Sequence, residues 1–317
     1  MAYVTSDAMM HMGKKKPLLQ RMARYWGFYL MFIPVLAFVG VFHYAPMVGI
    51  RYSFFSWKII DIPSWVGVAN FAKLFRQSQF SVSFWNTIVF SVVKLLLNTG
   101  FAVVISLLLN EIIALPFKKV SQTIIYLPHF MSWVVTASVF SLLLSPSDSG
   151  LINQLLLRLG LIDESVYYLA DNGWWSFWYY IINLWRETGW QTIIFMATLT
   201  GIDPGIYEAA SIDGAGRWKK MWYVTLPALS NTIITVLILN LAKIMNLFES
   251  VFVLQNDSVK RATNVLQTYI YYQTFNSGAS ADYGYTTAVG LFRSLVGLGL
   301  MLVCNYASKK VRGRGIV

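Results

Sequence analysis

Little in this chain could carry covalent chemistry. A single cysteine, Cys304, cannot close an internal disulfide, and its place in an apolar run reads as that of a small buried hydrophobe. The three histidines, His11, His43 and His129, are scattered without the spacing of a metal site. No Ser-His-Asp or Cys-His set stands out, and no close pair of carboxylates lies within the apolar runs. The stretch DGAGRWKK (213–220) has glycines and lysines but lacks the G-x-x-x-x-G-K-[ST] order of a nucleotide loop. These absences argue against an enzyme, and the chain itself is expected to bind no metal or cofactor. Charge is scarce too. Charged residues make up only 12% of the 317, far from a soluble globular composition.

Hydrocarbon is what the chain has in excess: 56% of its residues are hydrophobic. A membrane span needs roughly 20 mostly apolar residues. Six segments meet that length: 27–50, 84–109, 121–144, 176–201, 229–254 and 284–306. The first follows Lys14, Lys15, Lys16, Arg21 and Arg24, as a signal peptide would. Its apolar core is too long, however, and no small-residue cleavage site follows, so it reads as an uncleaved anchor. The expected fold is therefore all-α, a polytopic membrane protein of six transmembrane helices. Residues 1–26 form a basic lead, 27–309 the membrane domain and 310–317 a short tail.

The formal charge of +11 would suggest nucleic acid in a soluble protein; here its distribution explains it better. With the N-terminus inside, Lys14 to Arg24, Lys118, Lys119, Arg217, Lys219, Lys220, Lys309, Lys310, Arg312 and Arg314 give 14 inner bases. Lys58, Lys73, Arg76, Arg158, Lys260 and Arg261 make only six outside, and the other five lie within apolar segments. That is the positive-inside pattern, with both termini cytoplasmic. No nucleic-acid partner is expected. Between the spans, SPSDSG (145–150) signals a loop. The amphipathic LINQLLLRLGL (151–161) is too short to span, and suits a piece lying on the outer surface or capping the bundle. Many tryptophans and tyrosines, as in WWSFWYY (174–180), sit near span ends like an interfacial belt against membrane lipid.

One loop is unusual. YEAASIDGAGRWKKMWYVTLPAL (207–229) sets small residues and charges between two apolar runs. Asp203-Pro204 is a helix start, with an acceptor at the cap and a proline whose missing N–H costs nothing in the first turn. A short helix from Pro204 to about Ile212 should follow, stopped by Gly214 in a left-handed conformation. Ile206, Ala209 and Ala210 then share one face, small enough for another backbone to approach closely. Such a helix suits a partner's groove, or it could rest on lipid headgroups.

The segment resembles the EAA loop of permease subunits of ATP-binding-cassette importers. It has Glu208-Ala209-Ala210, three residues, Gly214, nine residues, Val224, one more, then Leu226-Pro227; only Val224 departs, where isoleucine is usual. HYAPMVGIRYSFFSW (43–57), LTGIDPGIYEAASIDGAGRW (199–218) and TAVGLFRSLVGLGLMLVCNYASKK (287–310) are similar to carbohydrate importer permeases, particularly the polysaccharide and oligosaccharide branch. The resemblance implies the type I importer fold in a bacterial inner membrane, with 203–227 as a coupling loop. It implies pairing with a second homologous permease, docking of a cytoplasmic ATPase dimer that carries ATP and Mg, and delivery of substrate by an extracytoplasmic solute-binding protein. An ion-gradient-driven secondary sugar carrier is the competing class. It would show inverted repeats and midplane carboxylates. No repeat relates residues 1–160 to 161–317, and Glu187 is the only clear acid near mid-depth. A membrane enzyme acting on lipid-linked sugar would need a catalytic cluster that is missing.

The cargo can be read from charges inside the spans, which are costly there and face a bundle interior or a watery cavity. Thr87, Ser91, Lys94 and Asn98 recur at helical spacing in the second span, and Asn240, Lys243, Asn246 and Ser250 in the fifth. Arg186 and Glu187 lie in the fourth and Arg293 in the sixth. Each could be a structural partner, Arg186 or Lys243 pairing with Glu187 or Glu249. Even so, Lys94, Arg186, Lys243 and Arg293 outnumber Glu187 and Glu249. A surplus of cations suits an acidic, uronate-bearing oligo- or polysaccharide better than a neutral one. Lys94, Asn98, Arg186, Lys243, Asn246 and Arg293 are the path candidates.

Overall fold

The computed structural model describes residues 25–58, 61–147, 150–241 and 243–312. The basic lead from Lys14 to Arg24, and Arg314 in the tail, lie outside them. The chain divides into two compact units, Met1–Arg51 and Tyr52–Val317. The first holds α1, Trp26–Val39, which is apolar on every side and buries none of its residues. It runs on through a π-helical turn, Gly40–Tyr44, and the whole apolar stretch from Trp26 to Phe54 is 29 residues long. A helix hydrophobic all round belongs in lipid or against other membrane helices.

Among its described residues the second unit is mainly helical, with one small hairpin, in which β1 (Phe55–Ser56) pairs antiparallel with β2 (Ser64–Trp65), and an isolated bridge between Lys58 and Asp282. Its helices are α2 (Ala69–Arg76), α3 (Ser78–Asn110), α4 (Leu115–Tyr126), α5 (Trp133–Leu143), α6 (Leu151–Arg158) and α7 (Asn172–Leu199). There follow α8 (Pro204–Ile212), α9 (Leu226–Leu241), α10 (Phe248–Phe252), α11 (Leu266–Phe275) and α12 (Tyr283–Arg312). Among the described residues four helices are long and apolar enough to cross a membrane: 26–54, 78–110, 217–241 and 283–310. Counting a bent pair as one span makes five. The sequence-based expectation of six rests on α7 as well. That helix has 28 residues, about 42 Å, but Asn183, Arg186, Glu187 and Gln191 make it less apolar than those four. The bundle shields them in part: Asn183 is 0% exposed, and the Arg186 and Glu187 side chains are 12% and 22% exposed.

Two expected spans differ from the structure. The segment 121–144 is not continuous; 115–130 and α5 meet at an angle of 102°. Local residues mark the break: Pro128 sits in the 3-10 turn Leu127–Phe130, and Ser132 starts a new helix by accepting from Val135 N at 3.2 Å. The segment 229–254 is displaced and broken. Its helical run starts at Arg217, passes a π-helical turn at Met221–Thr225 and ends at Leu241. Lys243 N and Ile244 N then bond back only three residues, to Asn240 O and Leu241 O. The short α10 follows.

α3 packs along α7, and around this pair lie three apolar clusters. In one, Trp175 stacks on Tyr179 at 5.2 Å between centroids while its Nε1 donates to Leu254 O at 2.8 Å. Both come from the WWSFWYY stretch. They are core rather than interfacial, whereas Trp174 and Phe177 beside them are exposed.

Candidate functional site

The loop 203–227 is built as its sequence demands. Asp203 Oδ1 accepts from Gly205 N at 2.9 Å, and Pro204 occupies the first turn of α8. At the other end Gly214 has a φ of 74°. Ala215 N bonds Ala210 O at 2.9 Å and Gly214 N bonds Ser211 O at 3.1 Å, a Schellman stop. No residue of α8 is buried; Glu208 and Ala209 are exposed, Ala210 is half-buried and Ile212 is 88% exposed. The helix is nonetheless fastened. Tyr207 OH and Thr225 Oγ1 are 3.1 Å apart, and Lys220 Nζ donates to Ser211 Oγ at 2.5 Å. Both partners stand on the helical run that continues into α9. Leu226 packs half-buried into the core at its start, and Pro227 is exposed beside it. α8 thus offers a bare face while being tied by two hydrogen bonds to the start of the fifth span.

That run leads from the loop to a cavity of about 460 Å³. Lys94 and Asn98 enter it one turn apart on α3, and Lys243 and Asn246 from the break after α9. α7 adds Glu187, Trp190 and Gln191. A second chamber of about 370 Å³ shares Lys94 and Asn246 and adds Trp133, Glu249 and Gln267. Four of the six path candidates therefore meet at one place. Arg293 reaches it indirectly, its Nη1 donating to Asn246 Oδ1 at 3.2 Å.

Arg186 does not line either chamber. Its Nε and Nη2 donate to Met131 O at 3.1 and 2.8 Å, its guanidinium lies 4.6 Å from the Trp133 ring centroid, and it pairs with Glu187. It braces the bend. Glu187 Oε2 stands 3.4 Å from His129 Nδ1, and His129 stacks on Trp190 at 4.9 Å. Among the described residues neither Lys94 nor Lys243 has a carboxylate within ion-pair distance. Of the acids lining the two chambers, Glu187 is engaged by Arg186 and faces His129, while Glu249 borders the second chamber with Lys94 but beyond ion-pair distance.

Sequence reasoning passed over His129, Trp190, Gln191 and Gln267. Trp190 and Gln191 follow Glu187 by three and four residues, so helical spacing alone could have added them. Nothing in the sequence marks His129 or Gln267, because their partners are distant in the chain. Thr87 turns out to serve packing, accepting from Leu266 N at 2.8 Å.

Residues 98–313 match the family model of the binding-protein-dependent transport system inner membrane component. The chain is 38% identical over 307 residues to the polygalacturonan/rhamnogalacturonan transport system permease protein YteP of Bacillus subtilis strain 168, covering 96% of this chain and 94% of that one. It is 37% identical over 296 residues to protein LplB of the same organism, covering 91% and 90%. Among solved structures, a bacterial ABC transporter involved in the import of the acidic polysaccharide alginate superposes with a TM-score of 0.85 at 33% identity, covering 93% of this chain and 99% of that one. The same value, 0.85, is found at 32% identity for the alginate transporter in complex with an alginate pentasaccharide-bound periplasmic protein, over 94% and 99% of the two chains.

Proposed function

The chain belongs to the binding-protein-dependent transport system inner membrane components, and from that membership we propose how its loop and cavity work. It is a multi-pass permease subunit of an ABC importer, the pore component and not itself the ATPase. The cargo is an acidic oligo- or polysaccharide carrying uronate carboxylates. The observation that carries this reading is the cavity where Lys94 and Lys243 converge without carboxylate partners. Half-buried Lys94 and exposed Lys243 present ammonium groups that an incoming carboxylate can meet with charge-assisted hydrogen bonds. The amides of Asn98, Gln191 and Asn246 supply the donors and acceptors that sugar hydroxyls need. The acidic cargoes named for the relatives support the same reading.

A second homologous permease completes the path, and a solute-binding protein delivers the sugar from outside. ATP and Mg sit on a separate cytoplasmic ATPase dimer. Both termini face the cytoplasm of a bacterial plasma membrane, as the positive-inside pattern requires. α8 docks in a cleft of the ATPase through its bare face, around Glu208, Ala209 and Ala210. Leu226 and Pro227 then pass its movement into the fifth span, whose far end carries Lys243 and Asn246. ATP-driven closure thereby shifts the balance between two states of the path. Purification from the native membrane tests the partner set: an ATPase and a second permease should copurify in fixed ratio, with ATP-dependent uptake. A chain that purifies alone and transports on an ion gradient would instead be a secondary carrier.

A further inference from the structure

The fifth span breaks at the level of the cavity, and two side chains from elsewhere hold it broken. Gln267, on α11, accepts with one oxygen from both Leu247 N at 2.7 Å and Phe248 N at 2.8 Å. Ser91, on α3, donates its hydroxyl to Ile244 O. In a continuous helix Phe248 N would bond Ile244 O, four residues back. Gln267 takes the donor of that bond, and Ser91 occupies one of the two lone pairs of its acceptor. Leu247 N, which would otherwise wind onto Lys243 O, is taken as well.

We propose that Gln267 is a positioning residue for the transport path: by claiming the amides of Leu247 and Phe248 it keeps the fifth span broken and so aims Asn246 and Lys243 into the cavity. In a continuous helix, six steps of about 100° place Asn246 roughly 120° round the axis from Asn240. Across the break both nonetheless line the cavity. Broken backbone at membrane depth persists only where something else satisfies its polar groups, and here that something is an amide side chain bordering the second chamber. The inference takes the cavity as the sugar path, the reading given above.

The test first removes this chain's single cysteine, Cys304. In a Cys304→Ser background of the full importer, Asn246→Cys should react readily with a charged methanethiosulfonate. Gln267→Met matches the side chain in length but accepts nothing. It should slow labelling of the assembled complex by about tenfold, because the segment winds to satisfy its own amides. Gln267→Glu keeps both acceptor bonds and should restore the rate to within about twofold of the parent. Should Gln267→Met fail to assemble, Ser91→Ala frees the acceptor side of the same bond and should also slow labelling. Unchanged labelling in the assembled Gln267→Met complex, or slow labelling in Gln267→Glu, overturns the proposal. Labelling needs no sugar, so this outcome is separate from that of the path reading, which Lys243→Met tests by uptake.

Discussion

Gly214 and Gly189 show two different reasons for glycine, and only one can be read from sequence. At Gly214 nothing lies within 4 Å of where a Cβ would be, yet φ is +74°, so the conformation itself demands glycine. That was legible from Asp203-Pro204, the short helix and the stop. At Gly189 a Cβ would lie 2.2 Å from Ile125 O, because α7 presses directly on the end of α4. No local pattern announces a contact between segments so far apart in the chain. Gly214→Val should strain the left-handed turn by roughly 1–2 kcal/mol or more and displace the face that carries Glu208. The complex should still assemble, while ATP hydrolysis stimulated by loaded binding protein falls several-fold. Gly214→Asn, which tolerates this conformation, should retain most of it. Equal stimulation in the valine variant would mean that the loop is only a surface anchor.

Among the elements, α8 came out at its expected limits because capping chemistry is local. The third and fifth spans did not, because a hydropathy window sums apolarity and is blind to a break inside it. Pro128 and Ser132 were visible signals of the bend, but what holds it is not local: Arg186 bonds the carbonyl of Met131 from another helix. Arg186→Met should leave that carbonyl unpaired, costing about 1–3 kcal/mol, and loosen the bend on which His129 and Trp133 stand. Its melting temperature in detergent should fall by several degrees, together with uptake. Arg186→Lys, without a planar fork, should recover only part of the loss. An Arg186→Met complex with unaltered melting would show that the bend is held by packing alone.

For the molecule as a whole, composition and charge distribution carried the class, and the spaced loop motif carried the family. The site was legible only in part. Lys94, Asn98, Lys243 and Asn246 stood out because charge and amide are rare in apolar runs. Which of the intramembrane cations is engaged and which is free depends on tertiary contacts that no spacing encodes. The central claim is that these free cations select an acidic sugar. It is tested most directly by reconstituting the importer in liposomes and measuring ATP hydrolysis with binding protein loaded with uronate or neutral oligosaccharides of equal length. The account predicts stronger stimulation by the uronate, reduced about tenfold or more by Lys243→Met, in keeping with loss of a charge-assisted bond. Stronger stimulation by the neutral sugar, with Lys243→Met leaving uptake unchanged, would contradict it.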